Sequence, residues 1–549
     1  MGYDIYDSSD DSDMGMTEAD IHLFYKNKEP EPEPTKEQQQ KTAIFRKAII
    51  PVQPEISVNK DWELIENMNQ EDLSNLYYSL NKNKYIVGLL GWYEYNDMYI
   101  LKYVSNNKTY PISLLNDVSN VLKNHVTKIR NQITPSTDDY KFKMKIYKTA
   151  YNKLGSSTFT KGIMEFLKKL YYVEDIENKL NSNNSLFPFN NCVYDMTIKE
   201  FRKIKPDDYI TITSQYPINQ QTNPEIRKEI NDLLKSIFEE DELIEYFKII
   251  SGLGLFTTKQ QKLFIHTGSG GNGKGVLSNV IRLCLGQLFI TGENTFLTTS
   301  YKAGAPNPTL ADAQGKRYLS ISEPDNGTDE CKFNIDLIKT ITGGDPVTAR
   351  GLYKDNVTYI PQFSLNIQCN NKPNLSKLDD GILRRINIIP YKFKFVDNPK
   401  LANERKRDYN LIDRIKQQDF INEFMLMLIE KATEYINIDV SKIKIPSSVL
   451  DETKEYIEEN NPIIHWLQNN IQITNNPKDR IKTSDMHRNY NDDENNEKRL
   501  SSVEFSKYMK FNGFEYKTIR GQRYYKGCVF VQPDQDKEMR DVKNQLDFV

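Results

Sequence analysis

The sequence predicts an α/β protein: a parallel-sheet core, an α-rich module before it, and helices with a small two-stranded wing after it. Three observations carry that prediction. KLFIHTG (Lys262–Gly268) is a buried-strand pattern that runs into the glycine-rich GSGGNGKG and then into the apolar-periodic VLSNVIRLCLG. Downstream, RYLSISE and PQFSLNIQC repeat the short apolar run, with a helix and a hairpin between them. Strands that alternate with helices form parallel sheets flanked by those helices. Ahead of this core, LSNLYYSL, VSNVLKNHVTKI and FTKGIMEFLKKLYYV place apolar residues three and four apart, the spacing of one helix face.

The elements follow in chain order. The chain has 549 residues, enough for roughly three or four folding units. Residues 1–45 are acidic and poor in apolar residues, ending in an EPEPEPTKEQQQK run, and are predicted to be disordered because they cannot bury enough surface to offset their ordering entropy. Residues 60–220 form the α-rich module, closed by a strand-containing patch around LFPFNNCVYDM and KPDDYITIT. The core occupies 221–400, a largely helical region 401–471, and a helix–helix–wing segment 475–549. No internal repeat is evident.

Composition excludes several classes. No stretch approaches the ~18–20 apolar residues of a bilayer span, and the start MGYDIYDSSDDSD is no signal peptide. The expectation is an intracellular, soluble chain. Cys192, Cys284, Cys331, Cys369 and Cys528 are scattered without a CxxC pair, so neither a zinc site nor a disulfide framework is expected. The net charge is −3, but residues 1–40 hold eleven Asp/Glu against three Lys/Arg, which leaves +5 for residues 41–549. An acidic tail masks a mildly basic body. Charge alone does not decide the partner.

Gly268-Ser269-Gly270-Gly271-Asn272-Gly273-Lys274 fits G-x-x-x-x-G-K between a strand and a helix. Glycines there let backbone N–H groups turn inward around an anion, and the helix that opens with Lys274, Gly275 and Val276 adds its positive end. Lys274 is placed to neutralise the β- and γ-phosphates of ATP. The position after the lysine, usually Ser or Thr for Mg2+, is Gly275. The metal must then be held by phosphates, water and other side chains.

KRYLSISEPD ends an apolar strand with Glu323, where an acid can orient or deprotonate an attacking water and reach Mg2+. Ser322 precedes it, where many such sites carry Asp. FSLNIQCNN ends in Asn370 and Asn371, read either as a polar sensor of the γ-phosphate or as a strand-ending turn. Arg384 and Arg385 follow in ILRRINIIPY, and an arginine can stabilise a transferring phosphoryl group from a neighbouring subunit. Between them, Asp345-Pro346 starts a turn, VTARGLY alternates, and Lys354-Asp355-Asn356 supplies a hairpin tip at which a lysine can grip a phosphate.

Together GSGGNGKG, RYLSISEPD, DLIKTITGGDPVTARGLYKD and FSLNIQCNNKPNLSKLDDGILRRINIIPY resemble a superfamily 3 helicase of the poxvirus D5-like and phage P4 primase-like group, over roughly residues 80–530. NNCVYDM also resembles a block of the D5 N-terminal module, with Cys192 in place of its glycine. The resemblance implies an AAA+-like P-loop ATPase core, ATP and Mg2+ as cofactors, and a homo-hexameric ring on single-stranded or forked DNA, with a separate primase or polymerase as a further partner. It implies Arg350 and Lys354 as DNA contacts, Asn370 as the sensor, and Arg385 or Arg384 as the arginine finger. The tail, with Lys507, Lys510, Lys517, Arg520, Arg523 and Lys526 among Phe511, Phe514, Tyr516, Tyr524 and Tyr525, resembles a winged helix whose aromatics either pack the wing or stack on bases.

Two readings of function follow. One is an ATP-driven ring helicase at a viral or plasmid replication fork. The other, motivated by Gly275 and Ser322, is a nucleotide-dependent DNA or origin binder with little turnover. Primase activity is not expected from this chain alone.

Overall fold

A computed structural model describes residues 58–106, 108–133, 135, 139–256, 261–299, 305–325, 331–351, 356–375, 378–439, 442–474, 476, 478–493 and 499–531. The acidic tail and Lys354 lie outside the described residues. The chain forms two compact units, residues 1–220 with 275–288, and residues 221–274 with 289–549.

In the first unit, helices Val58–Asn67, Gln70–Leu80, Ile112–Arg130, Tyr140–Leu154 and Ser157–Leu170 surround one apolar cluster. Ile112–Arg130 buries Leu114, Val118, Leu122 and Val126, four apart and therefore on one face. Asn69 caps Gln70–Leu80 by accepting from the N–H groups of Glu71 and Asp72. The expectation that the α-rich module of residues 60–220 is helical up to its closing strand patch needs one correction. An antiparallel sheet of β1 (Tyr85–Val87), β2 (Gly91–Tyr95) and β3 (Leu101–Asn106) interrupts it. Aromatic and β-branched residues favour that half-buried sheet, and Trp92 is fully enclosed by it and the helices.

The expected strand patch is β4 (Leu186–Pro188), β5 (Val193–Asp195) and β6 (Glu200–Arg202), paired antiparallel in that order. In the NNCVYDM block, Asn191 exchanges two hydrogen bonds with the backbone of Ile218, and Asp195 accepts from Thr197 and Arg202. Those contacts hold the patch together. The segment after it holds the end of helix Lys274–Leu285: the Tyr216 hydroxyl donates to the Cys284 carbonyl, and Gln287 N–H to the Thr213 carbonyl.

The second unit is built on a five-stranded parallel sheet. Its strands are β7 (Leu263–Thr267), β8 (Phe289–Thr291), β9 (Tyr318–Ser322), β13 (Ser364–Cys369) and β15 (Ile386–Pro390), in the order β15-β7-β13-β9-β8. Every residue of β7 and β15 is buried, as expected of strands covered on both faces. Between β9 and β13 come β10 (Lys332–Phe333), helix Ile335–Gly343, and the hairpin β11 (Val347–Arg350) and β12 (Asn356–Tyr359). The hairpin is where the alternation of VTARGLY put it, with Asn356 already in the returning strand rather than at the tip. β14 (Asn374–Leu375) pairs with β10.

Helices Pro224–Phe238, Asp241–Gly254 and Gln418–Tyr435 pack together in this unit. Gly252 has no space for a side chain, since a Cβ would lie 2.5 Å from the Leu428 carbonyl oxygen. After β15 comes β16 (Lys394–Val396), whose parallel partner β17 (Glu404–Lys406) opens the region 401–471, expected to be largely helical. Helix Ser447–Glu459 then lies against β15, where Thr453 accepts from the Ile388 N–H.

The C-terminal cluster runs helix Ile464–Asn470, β18 (Ile471–Ile473), β19 (Arg480–Lys482), helix Thr483–Asp492, helix Ser502–Phe511, then β20 (Tyr516–Ile519), β21 (Gln522–Lys526) and β22 (Cys528–Phe530). Its core of Trp466, Ile481, Tyr490, Phe505 and Tyr525 starts at Ile463, earlier than the boundary at 475.

Candidate functional site

The glycine loop follows β7, Glu323 follows β9, and Asn370 follows β13. The three strands are adjacent and parallel, so these residues emerge at one edge of the sheet. Open α/β sheets bind ligands at that edge. The loop needs its glycines: Gly271 and Gly273 have φ of +71° and +90°, the left-handed region that glycine enters without strain. A Cβ on Gly270 would meet open space, whereas one on Gly268 would collide with Tyr391 and Asn272. Among the described residues, the N–H groups of Ser269 to Gly273 have no protein acceptor, so the loop offers a row of donors.

Lys274 is only 8 % exposed. Its Nζ donates to the Gly268 carbonyl at 2.7 Å and to Asn370 Oδ1 at 2.9 Å. The Asn370 N–H in turn donates to Glu323 Oε2 at 3.2 Å. Lysine, amide and carboxylate thus form one chain across β7, β13 and β9. Glu323 itself has φ +44°, uncommon for a residue with a side chain, while its N–H continues the sheet by donating to the Gln368 carbonyl at 2.7 Å. Turning left-handed at the end of β9 brings its carboxylate back to Asn370.

Beneath the loop lies a network that the sequence reading did not single out. His266 is buried on β7, with Nδ1 3.1 Å from the Tyr391 hydroxyl and Nε2 3.2 Å from Asn366 Oδ1. Burial, reinforced by the nearby Lys274 charge, pushes its pKa down to about 4, so the ring is neutral. The signal was present: a histidine inside an otherwise apolar strand must find partners when buried. Asn272 is also buried, and its Nδ2 has no hydrogen-bond partner.

The two arginines separate. Arg385 is 5 % exposed, with Nε donating to Thr342 Oγ1 at 2.9 Å and Nη1 to the Gly381 carbonyl at 2.5 Å. This corrects the expectation that either could project as a finger, because the Arg385 guanidinium is held inside its own unit. Arg384 is exposed, with its carbonyl accepting from Lys262 Nζ at 2.8 Å. Both precede β15, whose register runs from Ile386 opposite Leu263 to Pro390 opposite Thr267. They therefore sit at the sheet edge opposite the glycine loop.

Arg350 is exposed at the end of β11, and its carbonyl accepts from the Asn307 N–H. Lys354, expected at the tip, falls in 352–355, outside the described residues. Lys507, Lys510, Lys517, Arg520, Arg523 and Lys526 are all exposed. Of the aromatics among them, Tyr525 is core and Phe514 packs edge-on against it, whereas Tyr516 is exposed with Arg523 over its ring.

For Mg2+ the chain's own donors are few. Glu323 and Ser322 end β9, Gly275 has no hydroxyl, and no cluster of three or more His, Cys, Asp or Glu occurs among the described residues. The charged and polar groups at this edge, with the free donors of the loop, suit a polyphosphate.

Fold and site define an α/β protein with a glycine loop, rich in N–H donors, at the carboxyl edge of a parallel sheet. Residues 73–239 match the family model described as D5 N terminal like, and residues 266–385 match a family of unknown function. Residues 73–239 are thus similar to the D5 N-terminal module, and the relatives that match more of the chain are viral proteins named as helicases or primases. The chain is 28 % identical over 420 residues to the provisionally named helicase L207/L206 of Acanthamoeba polyphaga mimivirus, covering 72 % of this chain and 42 % of that protein. The provisionally named helicase 184R of Invertebrate iridescent virus 6 is 26 % identical over 487 residues, covering 77 % of this chain and 50 % of that one. Primase D5 of Fowlpox virus is 27 % identical over 235 residues, covering 41 % and 29 %. The chain thus spans half or less of the length of these relatives. Among solved structures, the A-form apo structure of the NrS-1 C-terminal region aligns over 84 % of this chain and all of its own, at 11 % identity and a TM-score of 0.41. No helix of the described residues is long and apolar enough to cross a membrane.

Proposed function

We propose that this chain is the motor of an ATP-dependent DNA helicase of superfamily 3, an AAA+-like ATPase that assembles as a homo-hexameric ring and moves along single-stranded DNA in viral replication. The observation that carries the reading is the hydrogen-bonded chain Lys274–Asn370–Glu323 at the carboxyl ends of three adjacent parallel strands, beside a loop of unpaired N–H donors. The sheet order supports it. Counted along the chain, the core strands lie 5-1-4-3-2, which puts the acid-bearing and amide-bearing strands on the same side of the loop strand.

In this reading the loop N–H groups and Lys274 bind the ATP phosphates, and Lys274 exchanges the Gly268 carbonyl and the Asn370 amide for phosphate oxygens. Glu323 holds and deprotonates the attacking water. Glu323 and Ser322 are the groups of this chain that would help hold Mg2+, which would neutralise further phosphate charge. Arg384 completes the site of a neighbouring subunit. The hairpin with Arg350 and Lys354 grips the DNA backbone, and the C-terminal cluster, winged-helix-like in its order of elements, adds a basic surface.

The test is ATP turnover with and without single-stranded DNA. Turnover is expected to rise with DNA and to fall by at least about 10²-fold in Lys274→Ala, the cost of removing a preorganised charge from a phosphoryl-transfer site. The second reading rests on Gly275 and Ser322. If ATP binds without being turned over, the chain is a nucleotide-dependent DNA or origin binder, and the motor assignment fails.

A further inference from the structure

Helix Tyr140–Leu154 in the first unit carries an uncompensated positive face. From Tyr140 to Met164 the chain has six lysines and no Asp or Glu. The helix packs through Ile146, Tyr147, Ala150 and Leu154. At 100° per residue, Lys141, Lys145, Lys148 and Asn152 fall on the opposite side, within about 60° of one another. They are exposed. Their neighbours in sequence are engaged differently: Lys143 pairs with Asp139 and lies over the Trp62 ring, and Lys153 lies over Phe159. Among the described residues, Lys141, Lys145 and Lys148 have no carboxylate or ring partner.

A merely solvated helix face usually alternates its charges, because lysines three and four residues apart repel and weaken the helix. Here Lys141, Lys145 and Lys148 stand at those spacings with no carboxylate opposite among the described residues. Exposed aromatics flank the row, with Phe142 60 % exposed on one side and Tyr151 39 % exposed on the other, the latter under the Lys123 ammonium. The three lysines span about 10 Å of helix axis, and the aromatic rings lie beside that track. We infer that this face is a binding surface for the backbone of single-stranded nucleic acid, with the lysines on phosphates and Phe142 and Tyr151 beside the bases. It belongs to the first unit, whereas the glycine loop and the hairpin belong to the second, and it does not depend on ATP turnover.

The experiment uses the full chain with Lys141, Lys145 and Lys148 changed together to Gln, and a second variant with all three changed to Arg. Binding of a fluorescein-labelled oligothymidylate is followed by anisotropy over a salt series. Three lost phosphate contacts reduce the slope of log K against log salt by about 2, which is up to about a hundredfold in affinity near ~0.1 M salt. The Arg variant retains the slope. The Gln variant melts no lower than the parent, since it removes like-charge repulsion and keeps helix propensity. An unchanged slope in the Gln variant overturns the inference. So does a changed mass by light scattering with unchanged DNA binding, which assigns the face to another copy of the chain.

Discussion

Arg384 and Arg385 are adjacent in sequence, and the structure predicts opposite consequences for removing them. Arg385→Ala deletes a buried guanidinium with two charge-assisted hydrogen bonds, to Thr342 Oγ1 and the Gly381 carbonyl, and leaves both acceptors facing a void. Such bonds contribute about 1.5–3 kcal/mol each before the groups relax, so a loss of roughly 3 kcal/mol is expected. In a unit of this size that lowers the melting temperature by roughly 4–6 °C. Arg384→Ala removes an exposed side chain and changes stability by less than about 0.5 kcal/mol. Its effect is instead on turnover. β15 pairs with β7 over five residues, about 16 Å of strand, and Arg384 precedes the first pair while the loop follows the last. No arginine side chain spans that distance, so under the proposed function Arg384 would reach only a neighbouring subunit's site.

Arg384→Ala is then expected to reduce ATP turnover by about 10³-fold or more, the contribution of an arginine finger. The decisive assay mixes Arg384→Ala chains with Lys274→Ala chains. Each is inactive alone, but a Lys274→Ala subunit still offers Arg384 to its neighbour's intact loop, so mixed rings recover part of the turnover. An Arg384→Ala chain with full activity, or a mixture with none, refutes the argument. A stable Arg385→Ala chain refutes the structural half.

Two further outcomes follow from the same geometry. Lys354→Ala, in the segment joining β11 to β12, is expected to keep basal ATP turnover while duplex unwinding fails, and unchanged unwinding removes the hairpin as the DNA grip. His266 has a folded pKa of about 4 against an ordinary 6.5, so the unfolded chain takes up the proton first and stability falls as pH drops through that window, by about 2 kcal/mol at pH 5. Melts of the parent and of His266→Asn at pH 7.5 and at pH 5 check this, because the variant lacks that increment of acid sensitivity, and equal pH dependence in both chains shows that His266 is not the source.

Much of the site was legible because it is written in local signals. A glycine loop between an apolar run and a periodic helix, an Asp-Pro turn before an alternating segment, and polar residues closing apolar strands each constrain the backbone within a few residues. Other features depend on contacts that sequence spacing does not carry. β1 to β3 were absorbed into a helical stretch because each is short and its identity comes from pairing with the next, as Tyr85 does with Glu94. β16 and β17 pair across seven intervening residues for the same reason. Which of two consecutive arginines faces inward depends on where helix Asp380–Leu383 ends and β15 begins. A one-residue slip there would exchange their roles.

Glu323 is the clearest case of a property invisible in the string. Left-handed backbone is usually marked by glycine, and nothing in SISEPD marks it. Its conformation costs on the order of 1 kcal/mol or more, and the structure offsets that through the Asn370 N–H and the ladder bond to Gln368. The same Asn370 accepts from Lys274 through its side chain. A ligand that draws Lys274 away therefore frees the side chain of the residue whose backbone holds the acid. If the loop binds phosphate as proposed, its occupancy and the carboxylate position would be linked through one residue at the end of the strand between them. That linkage needs no motion of the sheet, because β13 is paired on both sides and only the residues beyond its last pair are released.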